Sequence, residues 1–270
     1  MKKKLTPLTL QEHQQILYEI LYMADDFCRE YDIKYFLVGG SLLGAIRHNG
    51  IIPWDDDVDI AMIRSEYERF IELFMKHTPK GYHLWNVGDR HYFLPFCKVS
   101  KEETFAQEIA RGKVMKNMGV NIDIFVYDGC PGTYEEAICY FMKLHQKIER
   151  FSKWKLQAFH LNPMFVSHNW NVLLNRIESI LGQQKTLLKR CSQYRVQDTQ
   201  YASNLIWGLY GRDEVQLSSC FLETKKWPFG SRELPIPSGY EDYLTGLYGD
   251  YMKLPSKEKQ KPKHIYQITE

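Results

Sequence analysis

Asp57 and Asp59 are the residues of this chain whose type and spacing bear most directly on chemistry. They lie in the segment Phe36 to Met62, which reads FLVGGSLLGAIRHNGIIPWDDDVDIAM. Side chains alternate along an extended strand, so the two aspartates share one face while Val58 and Ile60 enter the core. Carboxylates that close repel each other and bind protons more tightly unless a cation sits between them. All-oxygen ligands favour a hard divalent ion, so Mg²⁺ or Mn²⁺ is the expected partner. Asp123 alternates in the same way with Ile122 and Ile124. A charge buried there would be costly without a purpose, and Asp123 is predicted as third ligand or general base. Asp55 belongs to the same alternate set, as a further candidate ligand or as a partner that orients Arg47.

Just upstream, Gly39-Gly40-Ser41 makes a sharp turn into a short helix. Gly40, Ser41 and the backbone N–H groups that open the helix form an anion site suited to a donor phosphate. Arg47 and Lys98 can neutralise phosphate charge or else pair with the aspartates. An anion site one short helix ahead of a metal site is what phosphoryl transfer requires. Rival motifs fail. Ser41 stands where G-x-G-x-x-G needs glycine, and there is no Walker A or H-E-x-x-H sequence. Asp55, Asp57, Asp59 and Glu66 have the spacing of calcium-loop ligands, but Ile60 takes the place of the turning glycine. His48 reads as a structural histidine, and His264 receives no role.

Several elements must hold these residues in place. Thr9 and Glu12 form a capping box for a helix whose Leu10, Leu17, Ile20, Leu21, Ala24, Phe27 and Cys28 share one face. A buried strand over residues 33–38 leads to the glycine turn, where Ser41 is expected to cap the next helix. A second strand spans 58–63, and Ser65 and Glu68 open another helix. Strands are expected over 82–87, 92–99 and 120–126, the last stopping at Asp128-Gly129. This order describes an α/β catalytic core over residues 1–130. Thr133 and Glu136 then cap a long helix, and a second helix is expected from 170 to 193, so residues 131–200 form a helical lobe. Residues 201–270 are a C-terminal segment packing on the core, with a Tyr-rich helix over 240–248.

The chain has 270 residues, 44% hydrophobic and 25% charged, the balance of a globular protein. Its formal net charge is only +2, so no global field for nucleic acid exists and no nucleic-acid partner is expected. No segment approaches the roughly 20 apolar residues of a membrane span, and residues 6–15 hold no continuous apolar run of a signal peptide. Six cysteines without a C-x-x-C pair read as reduced thiols of a cytoplasmic protein.

The combined motifs carry a family resemblance. The Gly-Gly-Ser turn, Arg47-His48-x-Gly50, the run from Pro53 to Asp59, and Ile122-Asp123-Ile124-Phe125 resemble the LicD family, as do Pro235-Ile236-Pro237 and the stretch from Leu247 to Pro255. That family includes bacterial phosphocholine transferases and is related to fukutin-type sugar-phosphate transferases. The resemblance implies a nucleotidyltransferase-like, mixed-sheet α/β core. It also implies a divalent metal and transfer of phosphocholine from CDP-choline, with release of CMP, to a sugar hydroxyl of a teichoic acid or lipopolysaccharide precursor. A lipid-linked oligosaccharide acceptor would bring the protein to the inner membrane face. The helix from Thr133 carries Lys143, Lys147, Arg150, Lys153 and Lys155 beside Trp154, which suits an anionic membrane.

Choline cannot donate hydrogen bonds, so aromatic faces must hold it. Trp54, Trp85, Tyr92, Phe93, Phe96 and Tyr127 are the candidates near the predicted metal strands. A polyol-phosphate transferase, a small-molecule nucleotidyltransferase and an inactive binding module on the same fold remain alternatives at this point.

Overall fold

Thr9 does cap the first helix, α1 (Leu10–Glu30). Its side chain accepts the Glu12 N–H, and the Glu12 carboxylate accepts the Thr9 N–H at 2.8 Å. The apolar stripe of α1, from Leu17 to Cys28, is buried. Behind it runs a mixed sheet. The computed structural model describes residues 8–262 and 266–269, apart from 88, 90, 91, 93, 111, 112, 116, 117, 156, 158, 207 and 209.

In chain order the core contains β1 (Phe36–Leu37), α2 (Gly39–His48), β2 (Asp59–Ile63), α3 (Arg64–Lys76), β3 (Tyr82–Trp85), β4 (Cys97–Lys101), β5 (Phe105–Ala110), β6 (Lys113–Met115) and β7 (Asn121–Cys130). The main sheet has the order β1-β2-β7-β4-β3. β2 and β7 run parallel, while the other neighbours are antiparallel. β7 is central and apolar on both faces: Ile122, Ile124 and Val126 are fully buried, and so nearly are Phe125 and Tyr127. A strand covered on both sides reads as an apolar run, and that is how Ile124 to Tyr127 reads.

Past Asp128, β7 pairs with β8 (Tyr201–Ser203), which pairs in turn with β9 (Gln216–Leu217). The strand therefore passes the Asp128-Gly129 stop expected for it. Arg64 Nε donates to the buried Asp128 carboxylate at 2.9 Å, which supplies the charge partner that an interior aspartate needs.

The helical lobe consists of α4 (Tyr134–Lys155), α5 (Val166–Ile180) and α6 (Gln183–Cys191). Thr133 and Glu136 exchange the expected capping bonds. The single helix expected over 170–193 is two helices, broken at Gly182, whose φ is +71°.

The remaining elements are α7 (Ser219–Leu222), β10 (Thr224–Phe229), β11 (Arg232–Pro237), α8 (Tyr240–Tyr248) and β12 (Tyr266–Thr269). β10 and β11 form a hairpin that the sequence reading missed, and β12 joins β5 and β6 in a small separate sheet. Trp227 Nε1 donates to Ala45 O at 3.0 Å, and Gly230 N donates to Asn49 O at 2.7 Å, which fastens the hairpin to α2. Two cap assignments also change. Ser41 lies inside α2, where its hydroxyl accepts the Asp59 N–H at 2.8 Å instead of capping. α3 begins at Arg64 with no side-chain cap, so Ser65 does not open it.

The loop between α2 and β2 is tied down by α1. Tyr18 Oη accepts the Ile51 N–H at 2.9 Å, and Gln14 Nε2 donates to Ile52 O at 3.1 Å and to Asp55 O at 2.8 Å. His13 Nε2 lies 2.8 Å from Asp56 O. Beneath the loop, Gly44 sits so close to Gly50 that a Cβ would overlap the Gly50 carbonyl oxygen. Gly44→Ala is therefore expected to cost about 1–3 kcal/mol despite its better helix propensity, because backbone must move to admit the methyl. Thermal unfolding of the variant checks this; an unchanged or raised melting temperature would contradict the packing.

Candidate active site

The pairing of β2, β7 and β4 sets three charged residues in a row across the sheet. Asp59 lies opposite Asp123, and Asp123 lies opposite Lys98. Lys98 Nζ is 2.6 Å from Asp123 Oδ1 and donates to Asn121 Oδ1 at 3.1 Å, with its side chain only 2% exposed. The lysine predicted to meet a phosphate thus holds Asp123. Ahead of β2, carboxylate oxygens of Asp55, Asp56 and Asp57 lie within 4.8 Å of one another.

The first turn of α2 abuts these carboxylates. A Cβ on Gly39 would lie 3.2 Å from Asp59 Oδ2, and one on Gly40 would lie 3.0 Å from Asp55 Oδ2. Gly39 also has φ +54°, which ordinary side chains disfavour. The N–H groups and dipole of a helix N-terminus favour negative charge, so this turn suits carboxylates and phosphates alike.

Burial raises the proton affinity of Asp59 most; Asp57, Asp123 and Asp55 raise it further, and Lys98 opposes them. The all-oxygen donor set fits a hard divalent ion such as Mg²⁺ or Mn²⁺.

Tyrosines close the other side. Tyr243 Oη accepts the Gly39 N–H at 3.2 Å and receives the Tyr127 hydroxyl at 3.1 Å. Tyr248 Oη would lie 3.9 Å from a Gly39 Cβ and accepts from Tyr210 Oη at 3.0 Å. Burial pushes the Tyr243 and Tyr248 phenols well above their ordinary range, so they stay neutral beside the acids. Arg47 reaches the same segment: its Nη1 donates to Tyr251 O at 3.2 Å and Lys253 O at 3.3 Å. Its guanidinium pKa is lowered by burial, with Tyr248 and Asp55 opposing. Arg47 therefore ties the C-terminal segment to the acidic site.

The aromatic candidates among the described residues do not all gather at the carboxylates. Trp54, half-buried and edge-on to His48 at 5.8 Å, directly precedes Asp55. Trp85 donates to Ser100 Oγ at 2.9 Å and stacks on the buried Tyr92. Tyr92 spends its hydroxyl on Phe96 O at 2.6 Å, and Phe96 packs on Phe125 in the core. Tyr127 is buried. Phe93 and His264 lie outside the described residues. The sequence reading missed Asp56 and the tyrosines at 210, 243 and 248. Alternation set Asp56 aside, yet β2 starts only at Asp59, and residues 55–57 form a loop to which a period of two does not apply.

A family model described as LicD/FKTN/FKRP, nucleotidyltransferase domain, matches residues 32–165. The lipopolysaccharide cholinephosphotransferase LicD of Haemophilus influenzae is 35% identical over 266 residues, covering 96% of this chain and 97% of that protein. The ribitol 5-phosphate transferase FKRP of Homo sapiens is 63% identical over 30 residues, 11% of this chain and 6% of that protein.

The raised proton affinity of Asp59 fixes a sign. A carboxyl that binds protons more tightly folded than unfolded contributes stability below its unfolded pKa, and this is lost as pH rises through the folded value. Metal-free protein is thus expected to lose thermal stability on going from mildly acidic to neutral pH. Asp59→Asn should flatten that dependence and raise the melting temperature of the metal-free form at neutral pH. A variant that melts lower than wild type at neutral pH in EDTA would contradict the repulsion.

Proposed function

The chain belongs to the LicD family of transferases, and from that premise we propose that it transfers phosphocholine from CDP-choline to a sugar hydroxyl of a cell-surface glycan precursor, lipopolysaccharide or teichoic acid in type. The sugar oxygen forms a bond to the phosphorus that carries choline, and the bond from that phosphorus to the bridging oxygen breaks. CMP leaves with the bridging oxygen, and the hydroxyl proton passes to a carboxylate of the cluster.

Each residue has a task in this reading. The N–H groups of Gly40 and Ser41 at the start of α2 receive donor phosphate oxygens. The Ser41 hydroxyl holds the Asp59 backbone and so fixes β2 against that helix. Lys98 orients Asp123. Arg47 anchors residues 251–253 over the site, where its charge also faces Asp55. Asp57, Asp59 and Asp123, with Asp55 adjacent, would hold Mg²⁺ or Mn²⁺, which when bound polarises phosphate oxygens and stabilises charge on the leaving group. Trp54 and the Tyr210–Tyr248 pair offer aromatic faces to the quaternary ammonium near these carboxylates.

The observation that carries the phosphocholine reading is the likeness along 96% of the chain to a protein named a cholinephosphotransferase. Polyol-phosphate transfer is the second reading, favoured by the 63% identity to a ribitol 5-phosphate transferase, though over only 30 residues.

Donor competition separates the two. CDP-choline should be consumed well, CDP-ethanolamine poorly and CDP-ribitol hardly at all, since the three differ only in the alcohol. Faster turnover of CDP-ribitol than of CDP-choline, read by mass spectrometry of the product, would overturn the choline assignment and leave the transferase intact. Asp57→Asn should lower kcat by about a hundredfold or more with the fold unchanged, as expected for a lost group that stabilises transition-state charge. EDTA should silence the wild type, and Mg²⁺ or Mn²⁺ should restore it. A variant that retains a tenth of wild-type turnover would remove Asp57 from the ligand set.

A further inference from the structure

α5 carries two apolar faces, and the fold uses one. Val172 and Asn175 are buried on the side facing α4, where Asn175 Nδ2 lies 3.4 Å from Phe151 O. An ion pair between Arg150 and Glu178 at 2.6 Å clasps the two helices. On the opposite side Val166, Trp170, Leu173, Ile177 and Ile180 recur at intervals of four, three, four and three, which aligns them in one stripe. All five are exposed, Ile180 to 84%, and Met164 extends the stripe at 89%. At about 1.5 Å per residue the stripe runs along the whole length of the helix. No charged side chain interrupts it.

The lobe that carries the stripe is basic. Residues 143–190 hold nine lysines and arginines against two glutamates, in a chain whose net charge is only +2. Arg176, on α5 itself, stacks over Phe159 at 4.6 Å from the ring centre. A second copy of the chain would bring two such basic lobes together and be repelled, whereas an anionic surface would attract them. An apolar helix face on a basic lobe is the chemistry of a helix lying in a lipid headgroup layer. No helix among the described residues is long and apolar enough to cross a membrane, so the contact is peripheral.

We propose that the exposed stripe of α5, drawn by the positive charge of the lobe that carries it, docks the protein on an anionic bilayer surface. The docking is independent of which headgroup the enzyme transfers. It places the lobe, and not the acidic site, against the lipid.

Flotation with vesicles of phosphatidylcholine, alone or mixed with phosphatidylglycerol, tests this on the full chain. Wild type should float with the mixed vesicles and be released as salt rises. The double substitution Trp170→Gln with Ile177→Gln should lower the bound fraction about tenfold, because it removes the apolar half of the contact. Circular dichroism and transfer to a water-soluble acceptor should be unchanged, so loss of docking stays separable from failure of the transferase reading. Wild type that ignores phosphatidylglycerol, or a double variant that floats as well as wild type, would overturn the proposal. So would a sedimentation-defined dimer that the same substitutions dissociate, since the stripe would then be a contact between copies.

Discussion

Carboxylates at 55, 56, 57, 59 and 123 share one end of two parallel strands and the loop before them, and their mutual repulsion is the constraint that the rest of the structure answers. The neighbouring elements each reduce it in a different way. α2 turns its positive end toward Asp55 and Asp59, Lys98 supplies a buried charge to Asp123, and α1 grips the loop backbone so that repulsion cannot spread it open. Arg47 adds a further positive charge that faces Asp55.

The same constraint accounts for the union of the chain's two ends. Gly39 can approach Asp59 because it has no Cβ, and its N–H is taken by the hydroxyl of Tyr243 from α8. Arg47, at the far end of α2, is held by carbonyls of Tyr251 and Lys253. α2 is thus clamped at both ends by the C-terminal segment. Displacing that segment would free both ends of the helix and uncover the carboxylates. Catalytic geometry and C-terminal packing are therefore one structural unit, although about 200 residues of sequence separate their parts.

Much of this was legible in the sequence where local rules apply. The capping boxes at Thr9 and Thr133, the alternation around Asp59 and Asp123, and the α/β order all rest on neighbours in the chain, and the structure has them. What was not legible depends on partners far away. Ser41 looked like a cap, but Asp59 claimed its hydroxyl; of the two roles open to Lys98, strand register set it beside Asp123. β7 outran its Asp-Gly stop because β8 and Arg64, from distant segments, supplied the ladder and the counter-charge. Of the aromatics near the acidic strands, Tyr92, Phe96 and Tyr127 are buried in the core. The phenols of Tyr210, Tyr243 and Tyr248 that reach the acidic site come from the C-terminal part of the chain.

The unequal distribution of positive charge has a consequence for how the site is divided. Lys98 pairs with Asp123 at 2.6 Å, whereas at Asp59 its influence ranks below those of Asp57, Asp123 and Asp55. The ammonium therefore acts on the β4 side of the row, while the N-terminal turn of α2 acts on the other side, at Asp59 and Asp55. Strand register sets this division, because it places Asp123 between Asp59 and Lys98.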